Sequence, residues 1–167
     1  MRLLFLDIDG VLNSASSILA LGPSYPTDDV GQTNLCPVAT GLLARAVREC
    51  EVTHVYVHST WAGGSCDEGY FQRLLALHGM APQVLPIVHN APPWGPGRSR
   101  QSRIDAGLVS SGVLVSESSD YVVLDDVDMT DHFGARMVVC DADHGFSYPQ
   151  YVRVCERFDV QPMLVLI

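Results

Sequence analysis

The sequence predicts an α/β fold in which helices cover both faces of a parallel sheet. Short apolar runs alternate along the chain with segments of helical periodicity, as in β-α-β units. The first run, Arg2–Leu6, has the continuous apolar character of a central strand that is buried on both faces. A chain of 167 residues suits one domain. We therefore expect a single three-layer, Rossmann-like domain over residues 1–167.

Each predicted strand is a short run rich in aliphatic or β-branched residues. The five runs are Arg2–Leu6, Thr53–Val57, Val84–Val88, Tyr121–Leu124 and Arg136–Val139. Pro86 weakens the third run, because proline cannot donate to a strand ladder. A loop rich in proline and glycine, His89–Gly97, follows it and contains Trp94.

Four helices are predicted between and after these strands. Pro37 suits the first turn of a helix that runs to about Cys50. Asp67 can cap a second helix, which Gly79 closes. The remaining two helices are Ser99 or Arg100 to Val109, and Tyr148 to Phe158.

Composition limits the classes of function that fit the chain. The net charge is −9, and all ten of its Lys-plus-Arg residues are arginines. A protein that grips nucleic acid nonspecifically usually carries a basic surface, so the acidity argues against that activity. A single nucleic-acid end, or a small phosphorylated molecule, stays open as a substrate.

Two further observations concern location and redox state. No apolar run approaches the ~20 residues of a membrane span, and Leu3–Leu6 is too short for a signal peptide. We therefore expect a cytoplasmic protein that does not engage membranes. The five cysteines include no Cys-x-x-Cys pair, which indicates buried free thiols rather than a zinc site or disulfides.

Acidic pairs directly follow two of the predicted strands. Asp7 and Asp9 follow the first in LFLDIDGVLN, and Asp125 and Asp126 follow the fourth in YVVLDDVD. Because ligand crevices lie outside the carboxyl ends of parallel strands, these carboxylates should meet at one edge. Clustered carboxylates repel one another unless a cation lies among them, and Mg²⁺ prefers such oxygen ligands. Asp-x-Asp-Gly alone is also typical of a turn after a strand, but the second acidic pair argues against that alternative.

These motifs resemble those of the haloacid dehalogenase superfamily from Leu3 to about Phe146. LFLDIDGVLN resembles its first motif, YVVLDDVDM resembles its fourth, and VYVHST is similar to its second, with the match on Ser59. The third motif normally offers a lysine at a helix start, and this chain has none. Arg100 begins RQSRIDAGLV at a comparable distance before the fourth motif, and Arg98 and Arg103 are competing candidates.

The resemblance implies a phosphatase that forms an aspartyl-phosphate intermediate. Asp7 would be the nucleophile, and Asp9 would act as general acid and then general base. An aspartate at the second position also favours phosphatases over the relatives that process phosphonates or halides. Ser59 would donate its hydroxyl to a phosphoryl oxygen, and Arg100 would neutralise charge on the transferring group.

The resemblance also implies a magnesium site. Asp7, the backbone carbonyl of Asp9, and Asp126 would contact the ion directly. Asp125 would lie behind these ligands or reach the ion through a water molecule.

Residues next to the motifs are candidates for substrate binding. Gly10 allows a sharp turn beneath the site, and Thr60 and Trp61 follow the second motif at the expected entrance. For Trp61, stacking on substrate and simple packing are both open. We expect His58 to be a hydrogen-bonded structural residue.

Neither usual insertion point has room for the cap domain by which superfamily members usually select substrates, so we expect a capless or minimally capped member. Val11–Asn34 and the loop around Trp94 would line an open entrance that admits a phosphoprotein or a nucleic-acid end. The layout also resembles the phosphatase domains of nucleic-acid end-healing enzymes, while nucleotides and small phosphometabolites stay open. The alternatives are a phosphotransferase and a noncatalytic binding module, although the presence of both Asp7 and Asp9 counts against the second.

Overall fold

A computed structural model describes residues 1–62, 66–79, 87–90, 99–111 and 121–163. Its strands are β1 (Leu3–Leu6), β2 (His54–Val57), β3 (Ile87–Asn90), β4 (Tyr121–Asp125) and β5 (Met137–Val139). They form a parallel sheet in the order β3-β2-β1-β4-β5, with β1 at its centre. The central position explains why β1 is apolar throughout.

Six α-helices accompany the sheet in the described part of the chain. They are α1 (Ala15–Leu21), α2 (Pro37–Glu49), α3 (Glu68–Leu77), α4 (Arg100–Ser110), α5 (Thr130–Phe133) and α6 (Tyr148–Arg157). Asp67 caps α3 by accepting from the backbone N–H of Tyr70 at 2.7 Å. Ser99 and Ser102 form a reciprocal capping box at the start of α4, which fixes where Arg100 begins the helix.

Two apolar layers cover the faces of the sheet, as the sequence predicts. Leu4 and Leu6 of β1 pack in a layer with residues of α2, α3 and α6. Leu3 and Phe5, which alternate with them, pack on the opposite face against residues of α4 and α5. Helices on both faces of a parallel sheet confirm the three-layer, Rossmann-like prediction.

The predicted elements differ from the observed ones mainly at three places, one of which is the short helix α5, which was not predicted. The third strand extends through His89 and Asn90, which were expected in a loop, because His89 pairs with Tyr56 of β2 and stacks on its ring at 4.8 Å. Helix α1 was not predicted. Ser14 caps it by accepting from the N–H of Ser17, but the helix has little apolar periodicity and leaves Leu19 89% exposed. Residues 84–86, Trp94 and Arg98 lie outside the described residues.

Two smaller predictions concern membranes and thiols. Over the described ranges, no helix combines the length and apolar character needed to cross a membrane. All five cysteines are free thiols, and four of them are buried, as predicted.

Candidate active site

Three carboxylates meet at the carboxyl edge of the sheet. The parallel pairing of β1 with β4 sets Leu6 opposite Leu124, so that Asp7 and Asp125 leave neighbouring strands side by side. The backbone N–H of Asp7 donates to the carbonyl of Leu124 at 3.0 Å. Oxygen atoms of Asp7, Asp125 and Asp126 lie within 4.8 Å of one another.

Arg100 supplies positive charge to this cluster from the first turn of α4. Its Nη1 donates to Oδ2 of Asp7 and to both oxygens of Asp125, at 2.7 and 2.8 Å, and lies 3.9 Å from Oδ1 of Asp126. Burial alone would lower the pKa of the Arg100 guanidinium, but its bonds to Asp125 and Asp7 outweigh burial and raise that pKa. Arg103, a rival for the same role, is fully buried and donates to the backbone carbonyl of His58.

Asp125 is fully buried and held from three sides. His58, also fully buried, bonds its Oδ2 through Nε2 at 2.8 Å, and the N–H of Val127 donates to its Oδ1 at 2.8 Å. Because an ionised carboxylate only accepts, Nε2 of His58 carries the proton. Burial raises the pKa of Asp125, but the bonds from His58 and Arg100 outweigh burial and lower it. His58 is therefore hydrogen-bonded, as expected, although its partner was not foreseen.

Asp126 is a carboxylate whose ionisation is opposed by its neighbours in the cluster. Its side chain is 25% exposed. Burial and the neighbouring carboxylates of Asp125 and Asp7 raise its pKa to about 6. A cluster that resists full ionisation, built from hard oxygen donors, fits a bound divalent cation.

Asp9 is held apart from these three carboxylates by two N–H donors. Nδ2 of Asn13 donates to its Oδ1 at 3.0 Å, and the indole Nε1 of Trp61 donates to its Oδ2 at 3.0 Å. Trp61 is only 8% exposed, which leaves little of its ring for stacking on a substrate.

The other predicted site residues lie in the turns after β1 and β2. Ser59 is fully buried, and its Oγ accepts from the N–H of Trp61 at 3.4 Å, while Thr60 is exposed. Gly10 adopts a φ of 75°, and a Cβ atom there would lie 2.4 Å from Oδ2 of Asp126. Only glycine combines this backbone conformation with so close an approach.

Two contacts of the candidate site were not predicted from the sequence. The His58–Asp125 bond joins residues 67 positions apart and has no local signal. Asn13 lies four residues after Asp9, across the Asp-x-Asp-Gly turn, and that spacing was the available clue to their contact.

The Asp-x-Asp-Gly turn after a central parallel strand, the acidic pair on the next strand and the cation at a helix start define a haloacid dehalogenase (HAD) type of domain. A family model described as "HAD domain in Swiss Army Knife RNA repair proteins" matches residues 3–151, and the chain belongs to this family. Comparison with curated proteins and with solved structures finds no significant match. Membership indicates an enzyme of the phosphoester hydrolase type, in a family that typically uses a metal ion.

Proposed function

We propose that this protein is a magnesium-dependent phosphomonoesterase that forms an aspartyl-phosphate on Asp7 and acts on phosphorylated RNA ends. The observation that carries the proposal is the cluster of Asp7, Asp125 and Asp126 with Arg100 bound against the nucleophile. Asp9 lies on the same turn as Asp7, two residues further along the chain.

Asp7 is suited to nucleophilic attack. It is 1% exposed, and its Oδ1 accepts from the N–H of Ile8 at 2.8 Å, which fixes the direction of the carboxylate. In the first step an oxygen of Asp7 bonds to phosphorus as the ester P–O bond breaks. Arg100, which already bonds Oδ2 of Asp7, would neutralise charge on the phosphoryl oxygens, and Ser59 would donate to one of them.

The donor set also suits Mg²⁺. Asp7, Asp126 and the backbone carbonyl of Asp9 would hold the ion. Asp125 would stay behind them, since both of its oxygens already accept from His58, Arg100 or Val127. When bound, the ion would offset the repulsion between the attacking carboxylate and the anionic phosphate.

Asp9 would complete both half-reactions. It would give a proton to the departing alkoxide in the first step, and take a proton from the attacking water in the second. The water oxygen then bonds to phosphorus, and the acyl-phosphate bond breaks to regenerate Asp7.

The family description and the layout of the chain support an RNA end as the substrate. The family is that of HAD domains in RNA repair proteins. Between β1 and β2 the chain holds α1, a 3₁₀ turn and α2, which leaves little room for a cap domain at that insertion point. The net charge of −9 argues against a grip along an RNA strand, so the proposal is limited to the terminal phosphate.

Phosphate release from a substrate panel tests the proposal. The panel contains RNA oligonucleotides with 5′ or 3′ phosphate, matched DNA oligonucleotides, nucleotides, sugar phosphates and a phosphopeptide. We expect Mg²⁺-dependent release that is fastest from an RNA end and that is lost with chelator and in Asp7→Asn. Faster turnover of a small phosphometabolite or of the phosphopeptide would overturn the substrate assignment. A phosphorylated alcohol formed from added glycerol would identify a phosphotransferase instead.

A further inference from the structure

We propose that Trp61 and Asn13 are positioning residues that together fix the carboxylate of Asp9 for proton transfer. This inference rests on the proposed role of Asp9 as general acid and base. It gives Trp61 a different task from the substrate contact that the sequence suggested.

The two donors reach Asp9 from different turns of the fold. Asn13 belongs to the turn after β1, where its N–H donates to the carbonyl of Ile8 and its carbonyl accepts from Gly10, both at 3.0 Å. Trp61 belongs to the turn after β2, 52 residues away from Asp9. Asn13 is 6% exposed and Trp61 is 8% exposed, so both donors are fixed by packing before they meet the carboxylate.

The two hydrogen bonds orient the carboxylate of Asp9 and leave lone pairs on both of its oxygens. Each carboxylate oxygen has two lone pairs, and each receives one N–H, at 3.0 Å in both cases. One lone pair on each oxygen stays available to a proton. The terminal torsion of an aspartate is otherwise broad, so the paired donors remove a rotation that would turn the carboxylate out of line with the leaving group.

The chemistry of the two donors suits this task. An indole N–H and an amide N–H₂ donate without titrating near neutral pH, so neither exchanges protons with Asp9 during turnover. A water molecule or a hydroxyl in the same place could also accept, and could leave Asp9 in another orientation. The buried ring of Trp61 serves as a rigid support for one N–H.

Leaving-group dependence tests the proposal. Trp61→Phe removes the N–H and keeps an aromatic ring, and it is assayed on a phosphorylated RNA end and on p-nitrophenyl phosphate, whose leaving group needs little protonation. We expect kcat/KM for the RNA end, which reports the first half-reaction, to fall about tenfold, part of the ~10²–10⁴-fold that general acid/base help supplies. On p-nitrophenyl phosphate we expect kcat/KM to fall less than about threefold, because its leaving group needs little protonation, whereas slower hydrolysis of the intermediate would lower kcat on both substrates. Asn13→Ala should change the ratio in the same direction.

A matched control and a double-mutant cycle separate positioning from packing. Tyr70→Phe removes one buried hydrogen bond, between the hydroxyls of Tyr70 and Thr33, and should leave the ratio between substrates unchanged. In an Asp9→Asn background, Trp61→Phe should cause no further selective loss, because the group that it orients can no longer transfer a proton. An equal loss in both backgrounds, or a rise in KM for the RNA end, would overturn the proposal and identify Trp61 as a substrate contact.

A spectroscopic measurement tests the contact independently of activity. The protein has two tryptophans, so the indole ¹⁵N–H resonance that disappears in Trp61→Phe belongs to Trp61. We expect Asp9→Ala to shift this resonance and to speed its exchange with solvent. An unchanged resonance would refute the contact even in an active enzyme. Full activity of Asp7→Asn would instead refute the proposed function and leave the contact standing.

Discussion

The ends of β1 and β4 carry the same kind of residue in two different states. Asp7 and Asp125 are both buried and both bonded by Arg100. At the end of β1, Asp7 accepts from the N–H of Ile8 at one oxygen and from Arg100 at the other. At the end of β4, four N–H contacts from His58, Arg100 and Val127 occupy the two oxygens of Asp125.

This difference supports the proposed assignment of Asp7 as the reacting group and of Asp125 as a supporting one. A carboxylate must keep lone pairs open to attack phosphorus or to bind a metal ion, and Asp7, with one contact on each oxygen, keeps more of them open than Asp125. Asp125 uses its lone pairs to hold Arg100 against Asp7 and to join β4 to the end of β2. Residue type alone therefore does not assign a role within an acidic cluster. The number of hydrogen bonds that each carboxylate already accepts distinguishes Asp7 from Asp125.

The largest effect should come from exchanging Asp7. Asp7→Asn keeps the shape but removes the nucleophilic charge, so we expect phosphatase activity to fall to background while the melting temperature stays close to that of the wild type. Phosphate release and thermal unfolding, measured on the same preparations, check both parts. Undiminished turnover would show that Asp7 is not the nucleophile.

Exchanging Asp125, the supporting residue of the comparison, should lower stability. Asp125→Ala leaves His58 and Arg100 without their shared partner, and we expect the free energy of unfolding to fall by about 3–5 kcal/mol. Urea titration measures this loss. A stable Asp125→Ala protein would show that Asp125 is not a structural support.

A smaller effect is expected at Arg100, which bonds both strand ends. Arg100→Ala should lower kcat roughly 10²-fold, the range for losing one charge-stabilising group, and Arg100→Lys should recover part of it. Arg103→Ala should instead lower stability, since Arg103 is fully buried against the carbonyl of His58. Arg98→Ala should have little effect on kcat. If a folded Arg103→Ala protein loses turnover more severely than Arg100→Ala, the assignment of Arg100 is wrong.

The smallest effect concerns the pH dependence of stability at Asp126. Its pKa is raised from 3.8 to about 6 in the folded protein, so its stabilising contribution is full below about pH 4 and is lost as the pH rises through about 6. In chelator, Asp126→Asn should therefore gain stability relative to the wild type from pH 4 to pH 7. Urea titrations across this range, repeated with Mg²⁺, measure the difference. A difference that does not vary with pH would contradict the prediction.

The sequence predicted those parts of the molecule that local patterns encode. Strand β1 and helix α2 follow from apolar spacing and from Pro37. The meeting of Asp7, Asp125 and Asp126 follows from their places after neighbouring strands, whereas Asp9, expected in the same cluster, lies apart from it. Helix α1 escaped because its exposed leucines give no amphipathic pattern. The bonds that distinguish Asp125 from Asp7 escaped for another reason: His58 and Asp125 meet only when β2, β1 and β4 lie side by side.

The strand order also affects how the protein is made on the ribosome. Strand β1 pairs with β2 on one side and with β4 on the other, and Leu3 is matched with Tyr121. About 120 residues separate these partners, so at ~5–20 residues per second the nascent chain waits on the order of ten seconds for β4. Throughout that interval one edge of β1 has no neighbour, a state in which strands readily associate with other chains. We therefore expect the unpaired edge of β1 to need protection from association with other chains, as by a ribosome-associated chaperone, until β4 is synthesised.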